Sequence, residues 1–129
     1  MIIPSPSADT KPYWQAAAQG ALMLRFCEAC ATWHHPRHAH CICGAPLTWR
    51  QSGGKGALVS FTVVHYGLNP ALAEQVPYTI TLTRCDEGPQ ILTAMPGDHK
   101  TLRCGMAMTV SFDRVTPTVT LPRFQPAPA

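Results

Sequence analysis

Four cysteines and four histidines fall within eighteen residues, CEACATWHHPRHAHCICG, spanning Cys27 to Gly44. Cys27 and Cys30 form a C-x-x-C pair. That spacing turns two thiolates toward one ion and supplies two corners of a tetrahedral zinc site. The second half is irregular. Cys41 and Cys43 have one residue between them, whereas His40 and Cys43 keep the two-residue gap and precede Gly44, a residue suited to a left-handed turn. Spacing therefore favours Cys27, Cys30, His40 and Cys43 as ligands of a structural zinc. The alternatives are Cys41 in place of His40, or a metal-free ribbon held by packing. Four protein ligands leave no open position, so such an ion braces a pair of hairpins rather than reacting. His34, His35 and His38 lie outside the knuckle spacing and read as loop or surface residues. Cys85 and Cys104 read as small buried hydrophobes.

With 129 residues the chain suits one domain with a modest core. The start, Met1-Ile2-Ile3-Pro4, has no basic region and no long apolar stretch, and no run approaches the ~18 apolar residues of a membrane span. These features point to a cytoplasmic protein, where clustered cysteines serve as metal ligands more readily than as disulfides. A net charge of +3 is too small to argue for nucleic acid but suits an anionic small ligand.

The pattern divides the chain into three parts. Residues 1–20 comprise a Ser/Pro-rich tail and a helix over Lys11 to Gly20, KPYWQAAAQG, with Pro12 in its first turn and Gly20 at its stop. A helix so short needs a docking surface, and Tyr13 and Trp14 can anchor it. Residues 21–50 hold a strand, ALMLRF, leading into the cysteine-rich unit. From 51 onward the hinge QSGGKG precedes β-type segments at 57–66, 78–85, 90–95, 106–112 and 115–121, then an irregular proline-rich tail from Pro122. The turn Asp86-Glu87-Gly88-Pro89 separates the second and third strands, and a helical turn is possible at Ala71–Gln75. Five short strands with little helix suggest a small closed barrel of the oligomer-binding (OB) type rather than a sandwich.

The motifs YW (13–14), CEAC, PRHAHCICG, WRQSGGKGALVSFTVVH (49–65), PYTITLTRCDEG (77–88), LRCGMAMTVSF (102–112) and LPRF (121–124) follow in that order. Together they resemble the zinc-ribbon/OB-fold family of acyl-CoA-associated proteins known as domain of unknown function 35. The likeness covers about Tyr13 to Phe124, and Trp49 to His65 is its most specific stretch. The family's usual ribbon has two C-x-x-C pairs, and His40 stands here at the third position. The resemblance implies a mainly β chain with an N-terminal helix, a rubredoxin-like zinc ribbon and a five-stranded OB-fold barrel. It implies a non-catalytic accessory subunit that binds acyl-CoA or scaffolds a thiolase-fold or hotdog-fold hydratase partner.

An acyl-CoA needs cations for its phosphates, an aromatic face and exposed backbone. Lys55 and Arg123 lead the cationic candidates, ahead of Lys100, Arg103 and Arg114; the aromatic candidates are Phe61, Tyr66 and Tyr78. No acidic residue pairs evidently with a histidine or nucleophile, and Ser60 and Ser111 lack a nucleophile-elbow sequence. His65, at a strand end, reads as a packing or partner contact. No catalytic residue is assigned, and the chain reads as not itself an enzyme. A single-stranded nucleic-acid module is the alternative, but aromatics are only 8% of the chain. Weaker readings are a thioester hydrolase and an iron-bearing electron carrier.

Overall fold

The computed structural model describes residues 3–67, 69, 70, 73 and 75–128. The helical turn expected over Ala71–Gln75 falls largely outside the described residues.

Helix α1 spans Lys11–Ala18, with proline in its first turn. It ends where Gly20 takes φ +79°. The Ala21 N–H donates to Ala16 O and the Gly20 N–H to Ala17 O, the paired bonds that satisfy the last carbonyls when a glycine turns left-handed. Ala17 is buried and Tyr13 packs on the core, so the helix has the docking surface it needs.

Three strands follow: β1 Met23–Cys27, β2 Thr32–His34 and β3 Thr48–Gln51. They form an antiparallel sheet in the order β2-β1-β3. The hinge after β3 is held from two sides. The Ser52 N–H donates to Leu22 O at 2.8 Å, and Gly54 N–H donates to the buried Ser52 hydroxyl at 3.0 Å. A Cβ on Gly54 would sit 2.6 Å from Val110 Cγ1, and one on Gly56 would sit 2.2 Å from the Arg84 carbonyl oxygen. Gly54 and Gly56 of QSGGKG are therefore required by close approach of neighbouring strands.

The second sheet contains β4 Lys55–Val64, β5 Tyr78–Cys85, β6 Gln90–Met95, β7 Ala107–Arg114 and β8 Thr120–Pro126. Its antiparallel order is β6-β5-β4-β7-β8. The two end strands meet through side chains: the Phe124 N–H donates to Thr93 Oγ1 at 3.0 Å and Arg123 Nη1 donates to Ala94 O at 3.2 Å. The sheet thus curls into a small barrel with a narrow seam between β6 and β8. β8 begins five residues later than the sequence pattern suggests and includes Pro122 and Pro126. Residues 115–119 instead form the turn, where Thr116 Oγ1 accepts from the N–H groups of Thr118 and Val119. β8 pairs by ladder with β7 alone, and an edge strand tolerates proline because one side of its backbone needs no donor.

The core contains Leu22 and Leu24 from β1 and its approach, together with Leu58, Cys85, Ile91, Met95, Leu102, Met108 and Phe124. Ribbon and barrel therefore share one core. On β5 the threonines Thr79, Thr81 and Thr83 point inward and Ile80 and Leu82 outward. Thr83 Oγ1 is the one buried side-chain polar atom without a hydrogen-bond partner among the described residues. Cys85 is buried as expected, and burial pushes its thiol up to about 12. Cys104 departs from the expectation and lies exposed in the turn before β7.

Candidate metal centre and an adjoining cavity

The Sγ atoms of Cys27, Cys30, Cys41 and Cys43 all lie within 4.8 Å of one another. Cys27 and Cys43 are 3.7 Å apart, and Cys30 and Cys41 are 3.9 Å apart. Thiolates on one zinc at about 2.3 Å stand roughly 3.8 Å from each other at tetrahedral corners. None of the four is in a disulfide, and the donor set fits a structural zinc held by sulfur alone.

Local backbone explains the arrangement. Cys27 ends β1, and Ala31 takes φ +54° to turn the chain back after Cys30. The Cys30 N–H donates to Cys27 Sγ at 3.3 Å. The Cys41 N–H donates to Ala45 O, Gly44 N–H donates to Cys41 O, and Gly44 takes φ +90°. The Cys43 backbone N–H pulls the Cys41 thiol down to about 6. Hydrogen bonding with Cys43, then with Cys27 and Cys41, pushes Cys30 up to about 12.

His40, favoured by spacing, is exposed and pairs as an isolated bridge with Pro46, while Cys41 is buried in the cluster. The turn closed by the Gly44 N–H on Cys41 O brings Cys41 and Cys43 together toward Cys27 and Cys30, while His40, just before the turn, is exposed. The one-residue gap is an asset here, which the two-residue rule conceals.

A cavity of about 420 Å³ opens where α1, the ribbon loop and the barrel seam meet. Its walls include Tyr13 and Trp14 from α1, His35, Pro36 and Arg37 from the ribbon, Ile91, Leu92, Thr93 and Ala94 from β6, and Leu121, Pro122 and Arg123 from β8. Arg25 ties these parts together from beneath. It is buried, lies 4.0 Å over the Trp49 ring, donates from Nε to Pro36 O at 3.0 Å, and pairs from Nη2 with Asp9 Oδ2 at 2.7 Å. Burial pushes the Tyr13 hydroxyl up to about 12. His35 is pushed down, chiefly by burial and then by the charges of His38 and Arg37, which keeps its ring neutral at the cavity wall.

The five predicted cations do not converge. Lys55 starts β4 opposite Thr109 of β7, whereas Arg114 ends β7 at the other end of the barrel and donates from Nη2 to Pro117 O. Lys100 lies beside Asp98 in a 3-10 turn, His99–Thr101, and Arg103 is exposed in the following turn. Only Arg123 reaches the cavity, and its guanidinium is engaged by Asp113 Oδ2 at 3.0 Å and Ala94 O. Arg37, which sequence patterning did not single out, lies exposed at the same cavity and has no ion-pair partner among the described residues. Of the aromatic candidates, Phe61 packs on the core, Tyr78 is half-buried and Tyr66 is 75% exposed. His65 lies exposed just past β4. No described helix is long and apolar enough to cross a membrane.

Residues 14–48 match the family model of the ChsH2 rubredoxin-like zinc ribbon domain, and residues 49–113 match that of the ChsH2 C-terminal OB-fold domain. The chain belongs to the ChsH2 zinc-ribbon/OB-fold family. A solved structure described as the Ltp2-ChsH2(DUF35) aldolase is 29% identical, with a TM-score of 0.82 over 96% of this chain and 98% of that one. A probable enoyl-CoA hydratase alpha subunit of Thermomonospora curvata is 29% identical over 127 residues. This chain spans 39% of that curated relative's length. A DUF35-family protein of unknown function from Sulfolobus solfataricus shares the fold at 13% identity, with a TM-score of 0.59 over 81% of this chain and 78% of that one.

These findings support the ribbon and the barrel. They overturn the expectation that the chain stands apart from catalysis. One relative is described as an aldolase and the other as a subunit of a hydratase, so members of this family take part in enzymes.

Proposed function

We propose that the chain is a subunit of an enzyme acting on acyl-CoA thioesters, and that the cavity between α1, the ribbon loop and the β6–β8 seam receives part of that substrate. The observation that carries the reading is the composition of the cavity. Tyr13, Trp14, Ile91, Leu92 and Leu121 offer an apolar wall for an acyl or pantetheine arm, and Arg37 offers a guanidinium at its edge. Such a mixture of apolar surface and few polar groups is what small-ligand sites use. The relatives' association with hydratase and aldolase activity supports the same direction.

The partner is a thiolase-fold or hotdog-fold enzyme subunit. The outer face of β5 and β6 suits it, because Ile80, Leu82 and the 65%-exposed Leu92 form an apolar stripe beside the cavity. The four cysteines hold zinc, which fixes the ribbon loop and therefore the positions of His35, Pro36 and Arg37.

Calorimetric titration with a medium-chain acyl-CoA tests the substrate site. Binding is expected to weaken about tenfold in Arg37→Ala, the scale of one charge-assisted hydrogen bond, and to be unchanged in Lys100→Ala. Absence of heat at millimolar ligand, with and without the partner subunit, would remove the acyl-CoA site. Tight DNA binding with steep salt dependence would replace it with the nucleic-acid reading.

A further inference from the structure

The four sulfurs of the metal centre are not equivalent. Cys27 and Cys41 are buried, whereas Cys30 and Cys43 are exposed. Cys27 Sγ lies 3.7 Å from Cys43 Sγ, and Cys30 Sγ lies 3.9 Å from Cys41 Sγ. Each contact therefore joins one exposed sulfur to one buried sulfur of the other knuckle. A cysteine that ligates zinc is a thiolate, and a thiolate open to solvent is the form that peroxides attack.

Burial and spacing select the pairing. A bond between Cys41 and Cys43, one residue apart, is strained. Joining Cys27 to Cys30 would leave Cys41 with only that partner, so oxidation of all four sulfurs runs across the knuckles. Joining Cys27 to Cys41 would pair the two sulfurs that solvent does not reach. The remaining arrangement gives every buried sulfur an exposed neighbour, and each pair closes by less than about 2 Å to reach disulfide length. Cys104, also exposed, stands outside this cluster.

We propose that the sulfur centre is a peroxide-responsive modification site, in which Cys30 and Cys43 are oxidised first and Cys41 and Cys27 resolve them. The exposed thiolate attacks one peroxide oxygen, the O–O bond breaks, and the departing hydroxide takes a proton to become water. That sulfur, now a sulfenic acid, has lost two electrons and its hold on the metal. The buried thiolate then attacks it, forming the S–S bond and expelling a second hydroxide, which is protonated to water. Each pair thus consumes one hydrogen peroxide and two protons and yields one disulfide and two waters. The products are Cys27–Cys43 and Cys30–Cys41, and the metal is released. The loop between Cys30 and Cys41, which carries His35, Pro36 and Arg37 to the cavity wall, is then fixed by sulfur bonds instead of an ion.

The test treats the zinc-loaded full chain, and its Cys104→Ser variant, with hydrogen peroxide. Zinc release is followed with a chromophoric chelator, sulfenic acids are trapped with dimedone, and disulfides are mapped by mass spectrometry of the unreduced digest. About one zinc per chain should appear for about two peroxides consumed, equally in both proteins. Dimedone should mark Cys30 and Cys43 before Cys27 and Cys41. Amide signals of His35 and Arg37 should shift, and a thiol reductant with added Zn²⁺ should restore them. Zinc retained under excess peroxide overturns the proposal. So does release with Cys27–Cys30 as the main disulfide, or with sulfinic acids and no disulfide. Release lost in Cys104→Ser would place the reactive thiol outside the centre and is equally contrary.

Discussion

Glu87, in the turn between β5 and β6, accepts hydrogen bonds from Ser52 Oγ and from the Gly53 N–H, both at 2.8 Å. One carboxylate thereby fastens the hinge after the ribbon to a barrel turn. Glu87→Ala leaves the buried Ser52 hydroxyl without this acceptor and should cost about 1.5–3 kcal/mol, the range for hydrogen bonds to charged groups. Urea unfolding of Glu87→Ala, Ser52→Ala and the double variant measures the coupling. A coupling near zero would show that the contact does not hold the hinge.

Zinc occupancy distinguishes the two candidate third ligands. Cys41→Ala should reduce bound zinc from about one per chain to near zero and loosen the ribbon, because structural zinc supplies folding energy directly. His40→Ala should retain the ion. Metal analysis with near-ultraviolet spectra of the cobalt-substituted forms checks both, and loss of metal in His40→Ala alone would reinstate the nitrogen ligand.

The outcome at that site shows what was legible in the sequence. Alternation along TITLTRC and QILTAM, with the DEGP turn between them, located β5 and β6, and the hinge glycines were evident from QSGGKG. The ribbon was visible from its cysteines, but the order of ligands was not. Counting gaps assumes a particular turn, whereas the backbone bonds of Cys41 and Gly44 decide which side chains face inward. β8 was misplaced because Pro122 reads locally as a stop, and only its edge position removes the penalty. The cavity was invisible for a different reason. Tyr13, Arg37, Leu92 and Arg123 come from four distant segments, and no local pattern brings them together.

The pairing of Arg25 with Asp9 gives a pH dependence. Hydrogen bonding from Arg25 holds the Asp9 carboxyl below its usual value of 3.8, with the guanidinium charge adding to the effect. A lowered folded-state value stabilises the folded form above the unfolded pKa and loses that stabilisation as pH falls through the folded one. The tail before α1 should therefore stay fastened at neutral pH and detach below about pH 4. Amide signals of Ser7 to Thr10 followed from pH 7 to pH 2.5 check this. Asp9→Asn should remove the pH-dependent component, and an identical titration in that variant would refute the assignment.

Two glycines should respond differently to alanine. Gly20→Ala meets open space and carries only the left-handed backbone penalty, about 1–2 kcal/mol. Gly56→Ala would place a methyl against the Arg84 carbonyl, and should cost about 3 kcal/mol or more by forcing β4 and β5 apart. Thermal unfolding of both variants gives the comparison, and a Gly56→Ala protein as stable as Gly20→Ala would contradict the close approach.

The most direct measurement of the central claim is acyl-CoA turnover by the enzyme subunit that co-purifies with this chain, with the chain present, absent or carrying Arg37→Glu. Turnover should depend on the chain and fall about tenfold or more with the reversed charge at the cavity. Equal turnover in all three mixtures would contradict the claim that this ribbon and barrel belong to the working enzyme.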